Sequence, residues 1–154
     1  MSFYVIAFLL GAVAGLRSIT PVAAVAWAAH LGWIPLSNGP LAWLGSAPMA
    51  YISTVLALGE LVGDKLPITP SRKKPGPFAG RILTGALVGA AVGSSESVLF
   101  GGAIAGIVGA IVGTLGGAQL RAMGAKALGR DLPAALMEDT VAVLAAILLV
   151  RSLV

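Results

Sequence analysis

The sequence predicts an all-α, polytopic membrane domain of about five spans, with the first helix broken. Two global observations and one local one lead there. Of the 154 residues, 58% are hydrophobic and only 10% charged, whereas a soluble domain carries about 25% charged residues. The apolar residues fall into runs close to the ~20 residues that cross ~30 Å of hydrocarbon. The local observation is Arg17, which interrupts the apolar run 3–29 and is followed by Pro21.

Each span follows from its own residues. In the first, 3–29, an ionisable side chain at membrane depth is costly and is rarely left facing lipid. Pro21 lacks an amide donor and disfavours the helical conformation at Thr20. Residues 17–21 are therefore expected to separate two half-helices at a polar kink, a known way to build a solute site. The run carries no basic residues before it and is expected to stay as an uncleaved span. A turn-rich loop follows at 33–40, bracketed by Trp27, Trp33 and Trp43, the residue type that favours the headgroup interface. The second span is expected at 47–64. The polar loop 65–78, with Arg72, Lys73, Lys74, Pro75 and Pro77, is expected not to be helical. Spans three to five are expected at 79–94, 98–119 and 133–150.

Lys65, Arg72, Lys73, Lys74 and Arg81 cluster before the third span, and Arg121, Lys126 and Arg130 after the fourth. Five spans place both clusters on one side, which the positive-inside rule makes cytoplasmic. The N-terminus is then inside and the C-terminus outside. If 3–29 instead turns back as a re-entrant hairpin, only the N-terminus changes sides. The whole chain, 1–154, reads as one membrane domain. A possible inverted repeat has halves 3–64 and 98–150, joined by span 79–94. It rests on the likeness of Gly11–Gly15 to Gly109–Gly113 and of His30–Pro35 to Ala127–Pro133.

Glycines mark the packing faces. Gly102, Gly106, Gly109, Gly113 and Gly116 recur at alternating spacings of four and three, and Gly85, Gly89 and Gly93 at four. Such seams let backbones approach closely where lipid offers no hydrophobic drive. They are expected either to knit the bundle or to form a homodimer.

The chemistry-bearing residues are charged. Glu60 and Asp64, four apart, share one helical face. Glu138 and Asp139 form a second pair. With Arg17, Ser18 and Thr20, these are the candidates for lining an ion or solute path, since hard cations choose oxygen ligands. Interhelical salt bridges are the structural alternative. Arg72, Lys73 and Lys74 are candidates for contact with lipid headgroups. The chain has no Cys and one His, which excludes thiol chemistry and makes a zinc site a poor expectation. No catalytic residues, cofactor or nucleic-acid contact are expected, and the metal question stays open.

Gly15-Leu16-Arg17-Ser18-Ile19-Thr20-Pro21, Gly59 through Pro67, Pro75 through Arg81, and Gly124 through Pro133 with Glu138-Asp139 resemble a family of small bacterial membrane proteins. It is labelled domain of unknown function 4126, and the likeness covers nearly the whole chain. It implies a bacterial inner-membrane location and no particular activity. A looser likeness is to cation/proton exchangers with a Glu-x-Gly-Asp-Lys/Arg motif in each of two inverted halves. Here Glu60 to Lys65 is one residue longer, and the second half has Glu138-Asp139 without Gly-Asp. The expected function is a small membrane transporter or channel, not an enzyme. The alternative is a non-transporting protein that binds lipid or organises partners.

Overall fold

A computed structural model describes residues 2–154. Among them are six α-helices and no strand: α1 (Phe3–Leu16), α2 (Thr20–His30), α3 (Ala47–Gly63), α4 (Pro75–Ser94), α5 (Leu99–Leu128) and α6 (Asp131–Arg151). A short 3-10 turn at Ala42–Gly45 precedes α3. Helices α4, α5 and α6 are long and apolar enough to cross a membrane, and α1 and α3 are shorter apolar helices. Tyr51, Val55, Leu58 and Val62 on α3, and Ile104 and Leu115 on α5, are exposed. An outer surface of this kind suits lipid, not water.

Local chemistry explains the helix limits. Ser46 caps α3 by accepting from the Met49 amide, and Pro48 occupies the first turn. The stretch expected to resist helix formation instead opens α4: Pro75 and Pro77 lie in its first turn, where a missing amide is harmless. The fourth span was expected to end near 119, yet α5 runs 30 residues. Gln, Arg, Ala and Lys after Gly117 are good helix formers. The helix stops only at Gly129, whose φ of 69° is the left-handed cap that favours glycine.

The helix directions follow from their contacts. Gly101 lies beside Tyr4, Gly109 beside Phe8, Gly113 beside Ala12 and Gly117 beside Leu16, so α1 and α5 run parallel. Gly85, Gly89 and Gly93 meet α5 in reverse order, so α4 is antiparallel to both. Thr20 to Trp27 borders Val143 to Ile147 of α6, and Asp139 lies at Arg17. Helix α2 therefore turns back along α6, opposite to α1. Of the two forms open to segment 3–29, a kinked span or a re-entrant hairpin, the structure has the hairpin, with Arg17, Ser18 and Ile19 at its tip.

The hairpin sorts the loops onto two faces. Gly39 approaches Ser94, which places the tryptophan-rich loop and the 95–98 loop together. Loop 64–74, the α5–α6 turn and the hairpin tip occupy the opposite face. Every Lys and Arg except Arg151 lies on that second, charge-rich side. The repeat in the register expected from the sequence does not hold: Gly11–Gly15 and Gly109–Gly113 run side by side in the same direction, so they are not inverted copies.

Helix α5 is the central strut, gripped by α1 and α4. A methyl added at Gly106 would overlap the Gly85 carbonyl oxygen, and one at Gly109 the Phe8 carbonyl. The seam continues from Gly113 to Gly117 and not to Gly116, which has open space around it. The seams of α1, α4 and α5 are thus consumed inside the chain and are not free for a dimer. Substituting Gly106→Ala should destabilise the protein by at least ~1–3 kcal/mol through overpacking. Gly116→Ala should be neutral, or stabilising by up to ~1 kcal/mol. Thermal unfolding in detergent checks the pair; equal effects would contradict this packing.

Candidate functional site

A break in a helix leaves carbonyls without donors on one side and amides without acceptors on the other. At the hairpin tip both sets are satisfied by charged side chains from distant helices. Arg81 Nη1 donates to the Gly15 and Leu16 carbonyls at the end of α1, each at 2.7 Å. Glu60 accepts from the Ser18 and Ile19 amides at the start of α2, at 2.7 and 2.9 Å. A carboxylate there also opposes the positive end of the helix dipole. One expected path residue, Glu60, therefore holds the tip in place.

Between these two caps lies Arg17, fully buried at 0% exposure. Its Nη1 is 2.6 Å from Asp64 Oδ2, and its Nη2 contacts Asp139 Oδ1. These are ionic contacts more than aimed hydrogen bonds, because Nε, Nη1 and Nη2 all lack an acceptor in hydrogen-bonding geometry. Asp139 is shared with Lys65, and Asp64 with Arg121 at 2.6 Å. Arg121 also grips Asp131 through two hydrogen bonds of 2.9 and 2.7 Å. Beside this chain, Arg72 forms a two-pronged pair with Glu138 at 2.7 and 3.0 Å.

The structure thus gathers Arg17, Ser18, Glu60, Asp64, Glu138 and Asp139 at one level. Thr20 is close by but buried, and its hydroxyl has no partner. Arg72 departs from expectation: it is 8% exposed and paired with Glu138, so it is not offered to headgroups. Lys73 and Lys74 remain exposed. The sequence offered Arg81, Arg121 and Lys126 as basic partners for the carboxylates but did not place Lys65 and Asp131 in the site. Arg81 had a signal, as the only charge within α4.

Beyond the level of Arg17, the ends of α4, α5 and α6 continue for about 9–16 Å at 1.5 Å per residue. The ends of α4 and α5 flank a recess over which loop 64–74 folds. Within it is a cavity of about 340 Å³ whose lining includes Ser18, Glu60, Asp64, Thr69, Arg72 and Arg81. A second space of about 220 Å³ shares Asp64, Thr69 and Arg72 and reaches Arg121. Toward the other face the interior is apolar, with a separate space of about 360 Å³ at its end beside Ile34 and Leu36. Leu10, Val25 and Val88 are fully buried, and Ile34, Leu36 and Leu44 plug the end.

Removing one member of a buried ion pair strands the other. Arg17→Ala, which leaves both Asp64 and Asp139 short of a partner, should cost ~3–5 kcal/mol of stability. For the Arg72–Glu138 pair, Arg72→Glu alone should destabilise, and adding Glu138→Arg should recover part of the loss. Denaturation in detergent measures both. An Arg17→Ala protein as stable as wild type would contradict the pairing.

Neither the curated proteins nor the solved structures give a match. A family model does match, over residues 4–152, and the chain belongs to that family, described as domain of unknown function (DUF4126).

Proposed function

We propose that this protein is a small membrane transporter for an ion or small polar solute. Its solute site is the recess above the hairpin tip. One observation carries the reading: two half-helices meet at a polar cavity of about 340 Å³ lined by Ser18, Glu60, Asp64 and Arg81. Non-helical backbone at membrane depth is tolerated against protein or a water-filled cavity, and transporters use such broken helices to bind solutes. The recess opens toward the charge-rich face and is closed toward the other by the apolar plug. That is the geometry of one state of an alternating-access cycle.

A cation path lined by the carboxylates fits less well. Asp64, Glu138 and Asp139 each contact Arg or Lys, and both oxygens of Glu60 hold backbone amides. In the proposed cycle these pairs act as a latch. Asp64 is shared by Arg17 and Arg121, and Asp139 by Arg17 and Lys65, so partners can be exchanged without exposing a bare charge.

By the positive-inside rule the charge-rich face is cytoplasmic. Both termini then lie outside, in a bacterial inner membrane. For self-association we assign the exposed face of α3 at Gly59, where an added methyl would meet nothing.

A second reading has its own observation. An apolar groove of about 270 Å³ lies between α5 and α6, lined by Leu16, Gly117, Leu120, Met137 and Val141 with Arg121 at its edge. It suits an acyl chain below a charged headgroup and favours a non-transporting, lipid-binding role.

Flux into proteoliposomes separates the two. Light scattering should show a solute-dependent volume change for at least one of a panel of alkali salts, phosphate, small carboxylates and polyols. In Ser18→Cys, a charged thiol reagent should block it, since the chain has no other cysteine. No solute moving faster than in protein-free vesicles would contradict transport and favour the lipid-binding reading.

A further inference from the structure

We propose that the cavity beside Arg81 is a binding site for a compact oxyanion, a phosphate or carboxylate group. This substrate class rests on the reading of the recess as the solute site.

Arg81 differs from the other cations of the cluster. Arg17, Lys65, Arg72 and Arg121 each lie against at least one carboxylate. Arg81 is 5% exposed, yet among the described residues no acidic group comes within ion-pair distance of it. Its Nη1 is occupied by the Gly15 and Leu16 carbonyls. Its Nε is buried without an acceptor, and no protein acceptor takes a hydrogen bond from Nη2. Glu60 and Asp64 border the same space and act on Arg81 as opposite charges without touching it, so its guanidinium keeps an unpartnered nitrogen beside the cavity.

The rest of the lining defines what fits. Among the described residues the Ser18 hydroxyl has no hydrogen-bond partner, and Ser18 borders the same space; Thr69, on the loop above, donates its hydroxyl to the Gly63 carbonyl. Arg72 also lines the cavity, its charge balanced by Glu138. The acidic lining residues are already engaged, Glu60 by two amides and Asp64 by Arg17 and Arg121. They are poorly placed to attract a cation but still limit the negative charge the cavity accepts. A small mono- or dianion satisfies both constraints. A guanidinium fork matches the paired oxygens of carboxylate or phosphate better than it matches a spherical halide. The volume of about 340 Å³ is at the small end of ligand pockets, in keeping with a compact solute.

The same chemistry is carried by a free solute and by a phospholipid headgroup, and the test distinguishes them. Purified protein in neutral detergent is titrated with inorganic phosphate, sulfate and acetate, with chloride at matched ionic strength, and with micelles containing phosphatidylglycerol. Melting temperature and heat of binding are read. Saturable stabilisation by phosphate or acetate but not chloride is expected and identifies a free solute. Stabilisation by phosphatidylglycerol alone supports the same site with a headgroup as its source.

Arg81→Gln should weaken the responding ligand by about tenfold to a hundredfold, the loss expected for a charge-assisted hydrogen bond. Because Arg81 also caps α1, Ser18→Ala is the second variant. It leaves the Ser18 amide and every ion pair in place and should weaken binding by about threefold to tenfold. A wild-type protein that responds to no oxyanion beyond the chloride control overturns the site, as does binding unchanged in both variants. Oxyanion binding without flux supports the site and removes transport. Flux of a cation or neutral solute without oxyanion binding removes the site and leaves transport.

Discussion

Arg17 has no route to water, and the architecture on the charge-rich side is arranged around that fact. A buried guanidinium must find carboxylates, and the two it finds lie at the end of α3 and inside α6. Bringing Asp64 and Asp139 to Arg17 fixes where α3 ends, where α6 lies and which way α2 leaves the tip. Glu60 and Arg81 then cap the two severed helix ends from α3 and α4. Three helices, α3, α4 and α6, converge on residues 15–19. Such a cluster adds little stability in absolute terms, because desolvating the charges offsets most of their attraction. Its contribution is to select one arrangement, since any other would leave a buried charge alone.

The glycines make that convergence possible. Ionic contact at the tip requires α1, α4 and α5 to lie closer than ordinary side chains allow. The seam from Gly102 to Gly117 achieves this by placing backbone against backbone on two faces of one helix. With α5 held between α1 and α4, the hairpin tip and the start of α4 come to the same level. Arg81 can then reach the α1 carbonyls. Packing and electrostatics are one constraint viewed from two ends of the bundle.

Much of this was legible in the sequence. Arg17 beside a proline signalled a broken helix, and the apolar runs located the helices. The spacing of Gly85, Gly89, Gly93 and their counterparts on α5 announced close packing. The sequence did not reveal direction: a kink and a hairpin share the same residues, and only the pairing of Arg17 with Asp139 and the packing of Trp27 near α6 decide between them. For the same reason the apparent repeat misled, because Ala- and Gly-rich segments resemble one another whichever way they run. Arg72 reads as a loop cation until α6 brings Glu138 to it. Arg81 could be singled out as the lone charge of α4, but that it caps α1 without touching a carboxylate is a three-dimensional property.

Every contact at the tip depends on the first apolar segment folding back at Arg17. Spin labels at Ser2 and Leu31, both exposed, test this directly by pulsed electron paramagnetic resonance in lipid. A hairpin of two short helices places them about 10–25 Å apart, whereas one continuous span would separate them by about 40 Å at 1.5 Å per residue. A short distance in wild type that lengthens or broadens in Arg17→Ala is the predicted result. A single distance near 40 Å in the wild-type protein would contradict it.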